Sequence, residues 1–214
     1  MILGSHQSPA LVIDDFTQGG LVSLLGTNTA QFGTTVVQTG LDPLHTLGGT
    51  RSVFVGSLNV ASVSINTNLG RFQFVANTNY GYFKLDWGSV TPLNVNLTSG
   101  NDRFQLELVD TTPNVALNLF DLRVKSGGTW FSYGIGNDFA NALHGNSFGT
   151  LSIPFSKFPG VNFSEVQAIE LDAGRVPQGF HLAIDSFTVV PEPSVAMLLV
   201  LAPVLIRLMR PSRK

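Results

Sequence analysis

The chain has 214 residues, 43% of them hydrophobic and only 12% charged, a composition that argues against disorder and fits one domain of roughly 180 residues with a tail. It contains no cysteine, which excludes disulfides, thiol catalysis and thiolate metal sites. Residues 1–193 carry eight bases and fourteen acids, a net charge of −6, whereas the last eight residues carry four bases. This acidic body argues against nucleic acid as a partner, because phosphate binding needs a basic surface.

Period-two alternation of apolar and polar residues predicts short strands along the body. In chain order they are RFQFVA, YGYFKLDWG, LNVNLT, RFQLELVD, VALNLFDLRV, TLSIPF and VQAIELD. In LNVNLT, Leu93, Val95 and Leu97 are predicted to face inward. A helical turn or two is indicated only in NDFANALH. About a dozen strands without intervening helices predict an all-β protein, one β-sandwich over residues 11–190.

The segment YGYFKLDWG is the best candidate for a binding strand. Alternation places Phe83, Leu85 and Trp87 in the core, and Tyr80 and Tyr82 on the polar face with Lys84 and Asp86. Two tyrosines beside hydrogen-bonding groups form a platform that suits the apolar face of a sugar ring. The alternative is that the tyrosines only stabilise the sheet through cross-strand contacts.

The sequence contains one match to a catalytic motif, and the segments around it do not fit that motif. GNSFG, residues 145–149, matches the G-x-S-x-G nucleophile elbow, and Asp172 and His181 follow it in the order of a hydrolase triad. That motif needs a strand before the serine and a helix after it, and here the strand-like TLSIPF follows. The four histidines show no zinc spacing. We therefore predict a non-catalytic protein, with a secreted hydrolase of polysaccharide or ester as the alternative.

The C-terminus has a composition of its own. Residues 194–206 are thirteen uncharged and mostly apolar residues, which as a helix would span only about 20 Å against about 30 Å of bilayer hydrocarbon. We predict a short hydrophobic helix that anchors the chain transiently in the inner membrane. The following bases place its end in the cytoplasm. The alternative is a last core strand or helix, which the terminal bases fit poorly.

The order of features in residues 191–214 resembles the PEP-CTERM sorting domain of Gram-negative bacteria. The triplet Pro191, Glu192 and Pro193 is followed by the apolar run and by bases that include Arg207 and Arg210. The resemblance implies recognition by an exosortase, and a mature protein at the cell surface or in an exopolysaccharide matrix. Residues 1–16 have neither the basic region nor the apolar run of a secretory signal, so we expect that signal to lie upstream of Met1.

The preceding stretch, from GTLSIPF to DSFTVV, is similar to jelly-roll carbohydrate-binding modules. This looser resemblance implies a jelly-roll-like sandwich, a possible polysaccharide ligand, and a structural calcium between the first and last strands. Asp185 lies in an otherwise apolar strand, and Asp14 and Asp15 lie in the first. A buried carboxylate must be paired or bound to a cation, so we predict that Asp15 and Asp185, with Asp14 as a third ligand, bind a stabilising Ca²⁺. The alternative is that they accept hydrogen bonds from backbone groups.

Overall fold

The computed structural model describes residues 10–27, 33–57, 60–76, 81–112, 117 and 119–191. The strands are β1 Leu11–Asp14, β2 Val22–Thr27, β3 Thr34–Thr39, β4 Thr50–Ser57, β5 Val60–Asn66, β6 Arg71–Ala76, β7 Gly81–Trp87, β8 Arg103–Leu108, β9 Leu119–Ser126, β10 Thr129–Gly134, β11 Gly149–Pro154, β12 Val166–Val176 and β13 His181–Val190. One α-helix, α1, spans Gly136–Leu143, and short 3₁₀ turns lie at Leu47–Gly49 and Phe155–Lys157.

The strands form two antiparallel sheets. The seven-stranded sheet has the order β11-β8-β13-β6-β5-β2, with β1 pairing the second half of β13. The six-stranded sheet has the order β10-β9-β12-β7-β4-β3. The last strand is therefore central: β8 lies on one side of it, and β6 and then β1 lie on the other. The predicted all-β sandwich is confirmed.

The core lies between the sheets and contains many phenylalanines. Phe72 and Phe74 of β6 meet Phe83 of β7, with ring centroids 5.2 and 4.9 Å apart. Because β6 and β7 belong to different sheets, these rings interdigitate across the interface. The predicted inward residues Phe83, Leu85 and Trp87 are all fully buried. The inner faces of the two sheets therefore follow the alternation read from the sequence.

One predicted strand is wrong. LNVNLT forms no ladder, and only Val95 makes an isolated bridge, to Val166. Asn94 has a φ of 47°, a left-handed conformation that cannot continue an extended strand. Leu97 is nevertheless buried, and Leu93 and Val95 pack against the core. The pattern thus identified the inward residues and misjudged the backbone between them.

The interior of the sandwich also contains a network of buried polar side chains. Arg51 and Asp14 are both 0% exposed and are joined at 2.7 Å between Nη1 and Oδ1. Arg51 Nε also donates to Gln38 Oε1 at 2.7 Å, and Trp87 Nε1 donates to Asp14 Oδ2 at 2.9 Å. The backbone N–H of Phe16 donates to Asp14 Oδ1 at 2.9 Å. This buried network ties β1, β4 and β7 together where the two sheets meet.

Candidate functional site

The outer face of the six-stranded sheet carries a row of polar side chains. Ser52 of β4 lies opposite Asp86 of β7, Asp86 lies opposite Glu170 of β12, and Glu170 lies opposite Arg123 of β9. Directly opposed residues of an antiparallel pair are close enough to interact. The row therefore forms a continuous band of hydrogen-bonding groups across four strands.

Glu170 organises this band. Its side chain is only 4% exposed and lies between two cations, with Oε2 3.3 Å from Lys84 Nζ and Oε1 2.5 Å from Arg123 Nη1. A carboxylate this buried must be paired to stay charged. Glu170 thus holds both cations in place and compensates one of their two positive charges.

Two further carboxyls flank Glu170. Burial raises the pKa of Asp86, and the hydrogen bond from the Ser89 N–H opposes that rise without cancelling it. Burial and the neighbouring charge of Glu170 raise the pKa of Asp172. Both groups therefore stay protonated to a higher pH than ordinary aspartates.

Aromatic rings border the band. Trp130 of β10 lies over two cations of β9, with its centroid 5.3 Å from Arg123 Cζ and 6.0 Å from Lys125 Nζ. These cation–π contacts hold the indole against the sheet. Tyr82 packs over Gly174, where an added Cβ would lie 3.3 Å from two of its ring carbons. The outer face thus offers fixed aromatic surface beside polar groups.

A groove of about 440 Å³ runs along this face. Its lining combines two aromatic side chains with four charged ones and three small polar ones: Phe54, Trp130, Lys84, Asp86, Arg123, Glu170, Thr35, Ser52 and Ser89. We call it the outer-face groove. Its volume lies in the range of small-molecule sites, and its lining of two aromatic and seven polar side chains is more polar than is usual for them.

The structure describes the position of only one of the two predicted platform tyrosines. Tyr82 lies on the outer face, as expected, and is half-buried. Tyr80 lies outside the described residues. Asp86, predicted on the same polar face, does face that side but is 4% exposed, because the band buries it. The role of both tyrosines in binding stays a prediction.

The three predicted calcium ligands lie against three different basic side chains. Asp14 pairs with Arg51, Asp15 Oδ2 lies 2.5 Å from His45 Nδ1, and Asp185 Oδ1 lies 2.9 Å from Arg71 Nε. The carboxylate of Asp185 is 41% exposed, since the β13–β8 register shifts between Ile184 and Ser186 and breaks the apolar alternation. The described part of the chain holds no group of three His, Asp or Glu side chains placed to bind a metal. Calcium binding stays a prediction.

The predicted sorting signal begins where the sandwich ends. Val190 closes β13, and Pro191 follows it directly. Glu192, Pro193, Arg207 and Arg210, with the predicted hydrophobic helix, lie outside the described residues. Within the described ranges, no helix has the length and apolarity of a membrane span.

The parts of the alternative hydrolase triad are spread over the sandwich. Ser147 lies between α1 and β11, so a helix precedes it and a strand follows it, the reverse of a nucleophile elbow. Asp172 lies in the six-stranded sheet and His181 in the seven-stranded one. This arrangement gives the G-x-S-x-G match no catalytic context.

Sequence reasoning did not find the groove residues Trp130, Arg123 and Glu170. A signal existed: in LFDLRVKS, alternation places Asp121, Arg123 and Lys125 on one polar face. Their convergence with Glu170 depends on pairing between β9 and β12, which no local pattern shows.

Comparisons with known proteins give distant likenesses only. No protein-family model matches the sequence, and no curated protein matches it. Among solved structures, a family 30 carbohydrate-binding module of a Clostridium thermocellum cellulosomal cellulase is similar at 12% identity and a TM-score of 0.45, covering 87% of this chain and 100% of its own.

Two other solved structures show the same range of similarity. The family 11 carbohydrate-binding module of Lic26A-Cel5E of Clostridium thermocellum has 13% identity and a TM-score of 0.40, covering 86% of this chain and 95% of its own. A β-1,2-glucanase from Parabacteroides distasonis has 11% identity and a TM-score of 0.42, covering 86% of this chain but 25% of its own. At these values the likenesses assign no ligand, and the sandwich is established by the two sheets themselves.

Proposed function

We propose that this protein is a non-catalytic carbohydrate-binding protein and that the outer-face groove binds the sugar. The observation that carries the proposal is the placement of Trp130, which lines the groove and makes cation–π contacts with Arg123 and Lys125 beside a band of hydrogen-bonding side chains. A flat aromatic surface covers the apolar face of a sugar ring, and the polar band can bond its hydroxyls.

The charge arrangement favours a hydroxylated ligand over an ionic one. Lys84 and Arg123 both contact Glu170, which compensates one of their two positive charges. Asp86 is a second carboxyl in the same lining, so the groove holds two basic and two acidic side chains. The groove therefore presents donors and acceptors in fixed positions, with little uncompensated charge to attract an ion.

The test is affinity electrophoresis against soluble mixed-linked β-glucan, β-1,2-glucan, xylan and agarose. Trp130→Ala should weaken binding about tenfold or more, because the lost contact area and stacking are together worth about 1.5–3 kcal/mol. Phe148→Ala is the matched control, since Phe148 is 63% exposed and lies before β11 in the other sheet. If polysaccharide retards Trp130→Ala as strongly as the wild type, the outer-face groove is not the binding site.

Tyr82 and Tyr80 are proposed to extend the aromatic surface. Replacing both with alanine should weaken binding while the melting temperature barely changes. If the tyrosines only stabilise the sheet, the same variant should instead lose about 1–2 kcal/mol of stability and bind normally.

An assay for polysaccharide hydrolysis distinguishes the proposed binding function from that of a hydrolase. The same polysaccharides incubated with the protein should release no reducing ends. Release that depends on Ser147, Asp172 and His181 would establish the hydrolase and overturn the non-catalytic assignment.

We also propose export and sorting through residues 191–214, as a substrate of an exosortase. The support is the sequence order of Pro191-Glu192-Pro193, apolar run and bases, and the position of Pro191 directly after the last strand. Processing near the triplet would place the protein at the cell surface or in the extracellular matrix. Intact-mass spectrometry from the native host should find a C-terminus between Pro191 and Ser194. A mature surface form that ends at Lys214 would contradict it.

A further inference from the structure

A second cavity lies at the hairpin end of the same sheet. It has a volume of about 270 Å³ and is lined by Asn94, Gly127, Glu165 and Gln167. Gly127 belongs to the turn that joins β9 to β10, three residues before Trp130. Gln167 lies where the pairing of β12 with β9 is shifted, next to Ala168, which pairs with Lys125. We call it the hairpin cavity.

Trp130 of the outer-face groove lies three residues after Gly127 of the hairpin cavity. It lines the groove, and it pairs with Lys125, the residue of β9 whose other neighbour is Ala168. Arg123 in the groove and Gly127 in the cavity are four residues apart along the same chain, about 13 Å at the rise of a strand. The two spaces therefore follow one another along β9.

The backbone at Asn94 is fixed in an uncommon conformation beside the cavity. The N–H of Leu93 donates to Gln167 O at 2.8 Å, and the N–H of Val95 donates to Val166 O at 3.0 Å. Between these two bonds Asn94 has a φ of 47°. A non-glycine residue held in this region costs free energy and is enriched at binding sites.

Hydrogen-bonding capacity remains open in the hairpin cavity. Gln167 Oε1 accepts from Gly128 N at 2.8 Å, which orients its amide and leaves the NH₂ group to donate. Glu165 Oε2 accepts from Asn162 Nδ2 at 3.3 Å, which leaves Oε1 to accept. The side chain of Asn94 makes no hydrogen bond to another described residue. Two amides and a carboxylate thus provide both donors and acceptors for hydroxyl groups.

We infer that the hairpin cavity is a second sugar subsite and that the ligand is a linear oligosaccharide that runs from the outer-face groove past Trp130 to the β9–β10 turn. This inference rests on the proposed function. It adds that affinity depends on the length of the oligosaccharide, because the two subsites are too far apart for one sugar ring to occupy both.

The experiment measures affinity against chain length by isothermal titration calorimetry. The probes are oligosaccharides of two to six sugar units prepared from the polysaccharide of the panel that binds most tightly. The wild type should bind the longest about five- to tenfold more tightly than the shortest, since one or two added hydrogen bonds contribute a factor of this order.

Asn94→Gly removes the side chain without straining the backbone, because glycine adopts positive φ freely. It should abolish the gain for long oligosaccharides and leave binding of the shortest unchanged. Asp110→Gly is the matched control: Asp110 also has a positive φ, of 45°, and lies exposed after β8 in the other sheet. It should keep the full chain-length dependence.

The outcomes separate the two proposals. Binding that requires Trp130 but does not strengthen with length, or that strengthens equally in Asn94→Gly, overturns the second subsite alone. Absence of Trp130-dependent binding to every polysaccharide of the panel overturns the proposed function and the inference together.

Discussion

Removing the guanidinium from the buried network should destabilise the sandwich strongly. In Arg51→Met, Asp14 loses the buried cation that pairs with it, and the side-chain oxygen of Gln38 and the carbonyl of Gln18 lose the donor that Arg51 supplies. Breaking a fully buried ion pair by removing one partner costs about 3–5 kcal/mol. For a domain of this size that corresponds to a fall in melting temperature of about 6–20 °C.

The assay is urea unfolding followed by tryptophan fluorescence, with two comparison variants. Arg71→Met removes the cation of a partly exposed pair, whose side chains are 26% and 41% exposed, and should cost at most about 1 kcal/mol. Asp14→Leu combined with Arg51→Met removes both buried charges and should be more stable than Arg51→Met alone. Trp87 Nε1 would still lack its acceptor, so recovery should be incomplete. A cost below about 1 kcal/mol for Arg51→Met, or strictly additive losses in the double variant, would refute the reasoning.

Three further predictions concern titration, metal and backbone. Burial raises the folded-state pKa of Asp172 above its ordinary 3.8, so the native state binds more protons than the unfolded state. The free energy of unfolding should therefore fall as the pH rises from below 3.8 through the raised value. Asp172→Asn should remove that fall and melt higher than the wild type at pH values above the raised pKa. If calcium binds, millimolar Ca²⁺ should raise the melting temperature relative to chelator, by mass action, and Asp185→Ala should erase the shift; identical melts would end the calcium prediction. Gly88 has a φ of 98° and an added Cβ would lie 2.4 Å from Gln167 O, whereas Gly179, with a φ of 79°, faces open space. Gly88→Ala should therefore lose more stability in urea unfolding than Gly179→Ala, whose cost is about 1–2 kcal/mol, and equal losses would contradict the steric argument.

The inner faces of the sandwich could be predicted from the sequence, because alternation is a local property. The core positions of YGYFKLDWG and RFQLELVD follow directly from it. The candidate site could not be predicted, because it depends on which strands are neighbours. Glu170 meets Lys84 on one side and Arg123 on the other, and those residues are separated by tens of positions in the chain.

Arg51 shows a second limit of sequence reasoning. It occupies an inward position of β4, in line with Val53 and Val55, where an arginine normally argues against burial. Only the tertiary structure brings Asp14 to it. Asn94 shows a third limit: its apolar neighbours indicated a strand, but one left-handed residue beside the hairpin cavity prevents it. Local rules failed here at a position that we propose is functional.

The central position of β13 determines when the chain can fold. Its partners β8, β6 and β1 are made long before it, and until residues 181–190 have emerged from the ribosome these strands lack the neighbour that joins them. Pairing over such sequence separations is slow, and until it occurs the unpaired strand edges can pair with other chains and aggregate. A chain stopped before His181 should therefore remain a collapsed, aggregation-prone intermediate. A cut beyond Pro191, in contrast, leaves every strand pairing described above in place.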